Sequence, residues 1–297
     1  MNTYWKQLKA YKHSYVLITP FFIVFTIFTL LPVVVSMAFS FTYFNMLEFP
    51  KWVGLENYTR LFLDDDVFMI ALKNTFLFAL ITGPLSYVAC FLFAWFINEM
   101  SPTVRAIMTL LFYAPSISGN AYVIWQIMFS GDTYGYINGF LMNMGIILEP
   151  IQWLQDPRYM LGIVMIVQLW LSLGVGFLAF IAGLQGLDKT LFEAGVMDGV
   201  RNRWQELWYI TLPGMRPMLL FGAVIQITSS FAVAEVAMSL VGFPSTKYAA
   251  HTIVTHLLDY GTIRFEMGYA SAIATVLFLL MVSTNLIVQK MLRKVGE

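Results

Sequence analysis

The residues able to do chemistry in this 297-residue chain fall into three groups. The densest runs from Glu193 through Ala194, Gly195, Asp198 and Gly199 to Arg201, Asn202 and Arg203, and closes on Ile210-Thr211-Leu212-Pro213. It is a charge-rich segment between two membrane-length apolar runs, a position suited to docking something outside the lipid. The second group centres on Glu235, the one acidic residue inside an apolar run, with Thr228 seven and Phe231 four residues before it and Ser239 four after. On an unbroken helix these share a face. A carboxylate, hydroxyls and an aromatic ring suit a sugar, whose hydroxyls want acceptors and whose apolar ring face stacks. Glu235 has other possible roles: pairing with a partner subunit's basic residue, a hydrogen-bonded neutral carboxyl in the bundle, or a place in a locally broken helix. Asn120, Gln168 and Gln226 are weaker candidates for the same path, because polar residues also glue membrane helices together.

The third group is His251 and His256, five apart and without the i, i+4 spacing and acidic partner of a metal helix; they are expected at the surface, with no metal. The single cysteine, Cys90, excludes an internal disulfide. No Gly-x-x-x-x-Gly-Lys-[Ser/Thr] occurs, so the chain lacks a P-loop for ATP.

What positions these groups is a membrane bundle. The chain is 59% hydrophobic and 11% charged, with a mean hydropathy of +0.73, far from a soluble composition. Balanced charge gives no case for nucleic acid. Residues 14–47, 74–98, 106–131, 159–187 and 267–289 contain no Asp, Glu, Lys or Arg, and 217–246 is interrupted only by Glu235. Each is long enough for a spanning helix of about 20 residues. The fold class is therefore all-α integral membrane, in one domain, with six spans at about 15–41, 74–98, 106–130, 159–187, 217–242 and 267–289. Both termini then share a side, and that side holds 11 of the 17 basic residues, Lys6, Lys9, Lys12, Arg105, Lys189, Arg201, Arg203, Arg216, Lys290, Arg293 and Lys294. By the positive-inside rule it is cytoplasmic.

Punctuation refines the spans. Pro20 and Pro32 predict a kink or early end in the first, and Gly83-Pro84 is a helix-breaking pair in the second. Ser116 and Asn120 are to share a face of the third, and Gln168 and Ser172 one of the fourth. Ala179 with Gly183, and Ala182 with Gly186, are small pairs that allow close helix approach. Residues 133–148 are uncharged but too short and glycine-broken to span. Within 188–216, Thr190-x-x-Glu193 has capping-box spacing, Gly199 is placed to end that helix, and Arg201–Ile210 supplies a second short helix closed by Pro213. The product is a helical elbow.

Glu193-Ala194-Gly195-x-x-Asp198-Gly199 with the downstream Ile210-Thr211-Leu212-Pro213 resembles the EAA motif of permease subunits in binding-protein-dependent ABC importers. Gly54-Leu55-Glu56-Asn57-Tyr58, Asn74-Thr75, and Pro115 with Trp125 are similar to the carbohydrate branch, the maltose and glycerol-phosphate type, and the likeness runs from about residue 15 to the C-terminus. The resemblance implies a type I importer permease fold in a bacterial plasma membrane, a second homologous permease subunit, two cytoplasmic ATPase subunits that carry ATP and Mg, and an extracytoplasmic substrate-binding protein. It also implies that Glu193, Ala194, Gly195, Asp198 and Gly199 form the surface coupled to the ATPase, with Leu212 and Pro213 fixing the elbow to the fifth span. The chain departs from the motif at Gly195, where the family has its second alanine. Glycine there loosens the first elbow helix by up to about 1 kcal/mol. Cargo other than sugar (amino acid, peptide or phosphate ester) shares this architecture. An ion-driven secondary transporter fits less well, with no internal repeat and one intramembrane acid, and a scaffold that moves nothing is the third possibility.

Overall fold

The computed structural model describes residues 11–119 and 121–292. Asn120 lies outside the described residues. The chain falls into two compact units, one of residues up to Asp64 with Leu257–Val276, the other of Asp65–His256 with the residues from Leu277 onward.

In the first unit, helix α1 (Lys12–Phe39) has no buried residue. Most of its apolar side chains are exposed, a surface suited to lipid. Pro20 and Pro32 do not end it; the strain is taken up by one widened turn, Thr26–Leu30, where the Leu31 N–H reaches back to the Thr26 carbonyl. A short hairpin follows, β1 (Thr42–Tyr43) antiparallel to β2 (Lys51–Trp52), the one departure from an all-helical chain among the described residues. Buried Asn57 donates to the carbonyls of Ser40 and Thr42, both at 2.9 Å, and so satisfies the backbone where α1 stops. Arg60 pairs with Glu266 at 2.6 Å and lies over the Tyr269 ring at 4.2 Å.

The second unit is built on α2 (Asp66–Asn98), an unbroken helix of 33 residues. It starts eight residues before the expected Asn74, because charge-free length measures what lipid tolerates, whereas the helix begins where its free amides are capped. Here the Asp65 carboxylate accepts from the Phe68 N–H at 2.8 Å. Gly83-Pro84 does not break it. The helix is packed on two sides, and Gly83 sits against Ser230, so its missing side chain serves close approach.

The expected third, fourth and fifth spans are each interrupted. The third is α3 (Pro102–Ile117) and α4 (Ala121–Met128). Ser116 lies in the last turn of α3, and the face expected to join it to Asn120 falls outside the described residues. The fourth is α5 (Pro157–Leu171) and α6 (Val175–Gln185), interrupted at Ser172-Leu173-Gly174. The elbow contributes α7 (Lys189–Met197) and α8 (Arg203–Gly214). The fifth span is α9 (Arg216–Phe231) and α10 (Glu235–Val241). The final helix, α11 (Met267–Leu292), begins in the first unit and ends in the second. By length and apolarity four helices among the described residues can cross a membrane, α1, α2, α5 taken together with α6, and α11, and up to six if the bent pairs α3–α4 and α8–α9 each count as one span. Residues 133–148 hold only the short helix Tyr136–Asn143, in keeping with their expected failure to span.

The core of the second unit lies where α2, α6 and α9 meet, around Cys90, Phe91, Ala94, Phe177, Phe180, Ile181 and Leu219. Small residues let these backbones approach: a Cβ on Gly183 would fall 2.8 Å from Met218 Cγ, and one on Gly222 would fall 2.3 Å from the Phe180 ring.

Candidate coupling elbow and transport path

The elbow is ordered by its own caps. Asp188, not Thr190, starts α7: its carboxylate accepts from the Thr190 N–H at 2.9 Å, and hydrogen bonds from the Thr190 backbone and then its side chain hold that carboxyl below the usual carboxylate range. The expected Thr190–Glu193 box does not form, because Asp188 is the cap and takes the Thr190 N–H, which places Thr190 inside the helix. At the other end Gly199 takes φ +92°, the Val200 N–H returns to the Gly195 carbonyl at 2.9 Å and the Gly199 N–H to Val196 at 3.2 Å. This is the Schellman closure, which needs a left-handed residue. Asn202 then caps α8 by accepting from the Gln205 N–H at 2.9 Å, while the Gln205 side chain accepts from the Arg201 N–H at 2.8 Å. Pro213 does not close this helix; as in a first turn it needs no N–H partner, and the chain turns by 80° after Gly214 into α9.

Between α7 and α8 lies a groove of about 650 Å³. It brings together Ala194, Gly195, Asp198, Gly199 and Pro213 of the expected surface, and adds Leu191, Gln205, Tyr209 and Ile210. Glu193 is exposed outside the groove, and Leu212 packs inward on the α2–α6–α9 core. Val196 and Met197, 60% and 87% exposed, give α7 an unshielded apolar rim. The elbow is tied to the end of α2 by the Arg203–Glu99 ion pair at 2.7 Å and by Trp204 against Trp95, ring centroids 5.5 Å apart.

The second site forms around the break between α9 and α10. Glu235 is the first residue of α10 and is exposed. It opens onto a pocket of about 190 Å³ with Ser116, Ser118, Tyr122, Gln168 and Ser229. The face shared by Thr228, Phe231 and Glu235 does not exist, because the helix stops at Phe231 and restarts at Glu235 after three intervening residues. Thr228 is exposed and bonds its own helix at Val224, while Phe231 is buried against Ala79 and Ile227.

Gln226 is buried as well, accepting from Ser86 at 3.1 Å and donating to Cys90 Sγ at 3.1 Å and to the Ser172 carbonyl at 3.3 Å. It satisfies the carbonyl freed by the α5–α6 break, which is the helix-gluing role of a membrane glutamine. Of the five described residues expected on the path, the pocket gathers Glu235 and Gln168, and Asn120 lies outside the described residues. The polar side chains it adds were present in the sequence, but nothing in their spacing linked them.

His251 and His256 are 3% and 2% exposed, not surface residues. His256 bridges His251 at 3.2 Å and Asp65 at 3.0 Å. Asp65, distant in sequence, is the acidic partner that local spacing could not reveal.

Residues 101–297 match the family described as binding-protein-dependent transport system inner membrane component. The chain belongs to this family. It is a multi-pass inner-membrane permease subunit of an ABC transporter, a transport component rather than an enzyme. It is 33% identical to the probable ABC transporter permease protein YesP of Bacillus subtilis (strain 168), over 93% of this chain and 89% of that one. It is 29% identical to the arabinooligosaccharides transport system permease protein AraP of Halalkalibacterium halodurans, over 90% and 83%. Identity to the lactose transport system permease protein LacF of Rhizobium radiobacter is 28%, over 92% of each. In fold it resembles a chain of a bacterial ABC transporter involved in the import of the acidic polysaccharide alginate, with a TM-score of 0.74 and 24% identity over 99% of both chains.

Proposed function

We propose that this permease forms half of the translocation path of an ATP-driven importer for a sugar or oligosaccharide delivered by an extracytoplasmic binding protein. In this reading six spans cross the membrane, the broken pairs counting as one each, with both termini cytoplasmic. The elbow groove receives a cytoplasmic ATPase subunit, so that closure of an ATPase dimer rocks this chain against a second, homologous permease. ATP and Mg act on those ATPase subunits. Relatives named for arabinooligosaccharide and lactose transport support sugar as the cargo.

The observation that carries the proposal is the pocket at the α9–α10 break, where a carboxylate, a phenol, an amide and three serine hydroxyls converge. Such a lining matches a polyhydroxylated solute. Interrupted helices at the middle of a span are also where transporters hold substrates, because irregular backbone is tolerated only around a cavity.

The test is uptake by proteoliposomes holding the full complex, with ATP inside and the binding protein outside, using labelled arabinotriose, lactose, leucine and a tripeptide. Glu235→Gln and Glu235→Leu should assemble normally, since the side chain is exposed, and lower sugar uptake. ATP-dependent uptake of leucine or peptide alone would refute sugar as cargo. Loss of assembly in both variants would assign Glu235 a structural role instead.

A further inference from the structure

The buried polar groups at the far end of α2 from the elbow have no part in the reading above, yet they connect its two sites. Helix α2 is continuous over 33 residues, a rod of about 50 Å. One end is fastened to the elbow through Glu99–Arg203 and Trp95–Trp204. Near the other end the Asn74 amide donates to three carbonyls of one segment, Tyr248 at 3.2 Å, Ala249 at 3.1 Å and His251 at 3.0 Å. Next to it the Thr75 hydroxyl accepts from the Ile253 N–H at 2.9 Å. That segment in turn reaches the break: the Thr252 hydroxyl donates to the Val233 carbonyl at 2.6 Å. Val233 lies in the gap between α9 and α10, two residues before Glu235.

Asn74, Thr75 and Thr252 are 8%, 1% and 1% exposed, so water does not compete for these bonds. A buried, fully engaged network transmits displacement with little slack. A backbone interrupted at Val233 has lost part of its own helical restraint and takes its position from what it is bonded to.

We propose that Asn74, Thr75 and Thr252 are positioning residues that form a latch between α2 and the α9–α10 break. Movement of the elbow then reaches the Glu235 pocket along α2, and the break shifts with it. This rests on the reading of the pocket as part of the transport path. Plain helix glue would hold the fold together and leave the pocket's response to nucleotide unaltered. A latch makes that response depend on the bonds of three particular residues.

The test uses the complete transporter in lipid nanodiscs, with Ala232→Cys as reporter, since Ala232 is exposed in the pocket lining and Cys90 is buried. The rate of labelling by N-ethylmaleimide is measured without nucleotide and after trapping with ATP and vanadate. In the Ala232→Cys parent the two rates should differ by about tenfold, as for a two-state pocket that changes access. Adding Thr252→Val, which keeps the shape and removes the hydroxyl, should bring the difference below about twofold while assembly and basal ATP hydrolysis persist. Thr252→Ser, which restores the donor, should bring it back. Thr75→Val should behave as Thr252→Val does and serves if the latter fails to assemble. A parent difference that both valine variants leave intact overturns the latch alone. No difference in the parent overturns the latch and, with it, the pocket's place in the transport cycle.

Discussion

Replacing Gly195 with alanine restores the residue the family motif carries, and helix propensity alone makes it a gain of about 1 kcal/mol in the middle of α7. The structure reverses that sign. A Cβ at 195 would lie 2.6 Å from Ile210 Cδ1 and 3.6 Å from Val200 Cγ2. Overpacking costs about 1–3 kcal/mol, at the low end here because the atom met is the tip of a flexible side chain. The expected net is a loss of up to about 1 kcal/mol relative to glycine. Ile210→Val removes the obstructing methyl at a cost of about 0.5–1.5 kcal/mol. In that background Gly195→Ala should become stabilising by about 1 kcal/mol, because only the propensity term is left. The assay is hydrogen exchange with mass spectrometry on peptides covering 189–214 in the assembled transporter, read as changes in the free energy of local opening. The four proteins form a cycle whose coupling should be about 1–2 kcal/mol and favourable. Additivity within about 0.5 kcal/mol would refute the claim that Ile210 occupies the space of the missing Cβ.

Other outcomes follow from the same elbow and are accessible to the same preparation. Gly199→Ala meets open space but must hold φ +92°, so it should raise exchange at the end of α7 by about 1–2 kcal/mol of opening free energy. Gly199→Asp adds charge at the groove. It and Glu193→Arg should leave the protein inserted while substrate moved per ATP falls several-fold; normal uptake by both, with the ATPase still bound, would remove the elbow from coupling. The Asp188 cap has a pH signature. Its carboxyl is held below the ordinary value, so the cap stabilises α7 fully above the unfolded pKa of about 4 and fades only as pH falls through the lowered value. Protection at Leu191, corrected for intrinsic exchange, should be flat from about pH 5 to about pH 8 and drop in acid, and Asp188→Asn should remove the drop.

Much of the elbow was legible because its determinants are local. Asp188, Gly199, Asn202 and Gln205 act within four residues of the amides and carbonyls they satisfy, and that reach is visible in a linear sequence. Two local readings failed: Thr190 as the cap, because two candidates lie within a turn of each other, and Pro213 as the helix end, because the chain carries it within the last turn of α8. The spans were legible for a different reason: absence of charge over about 20 residues is a property of composition. Their interruptions were not. Pro20, Pro32 and Pro84 look like breakers and are carried through, whereas Ser172-Leu173-Gly174 and Ala232-Val233-Ala234 hold no proline and break.

Taken by itself the sequence determined that this is a helical membrane protein with a rigid polar elbow, since hydrophobicity, charge bias and capping are each set by neighbours along the chain. Only the tertiary structure decided what the polar residues inside the apolar runs do. Gln226 satisfies a carbonyl freed 54 residues away, His256 meets Asp65 across 191 residues, and Thr252 holds Val233. A hydrogen bond in a water-poor interior is defined by which groups meet, and in this chain the partners meet only after α2, α5 and α9 have packed. The place of Glu235 is of the same kind: its carboxylate opens a helix and faces a pocket, and the backbone two residues before it accepts a hydrogen bond from Thr252.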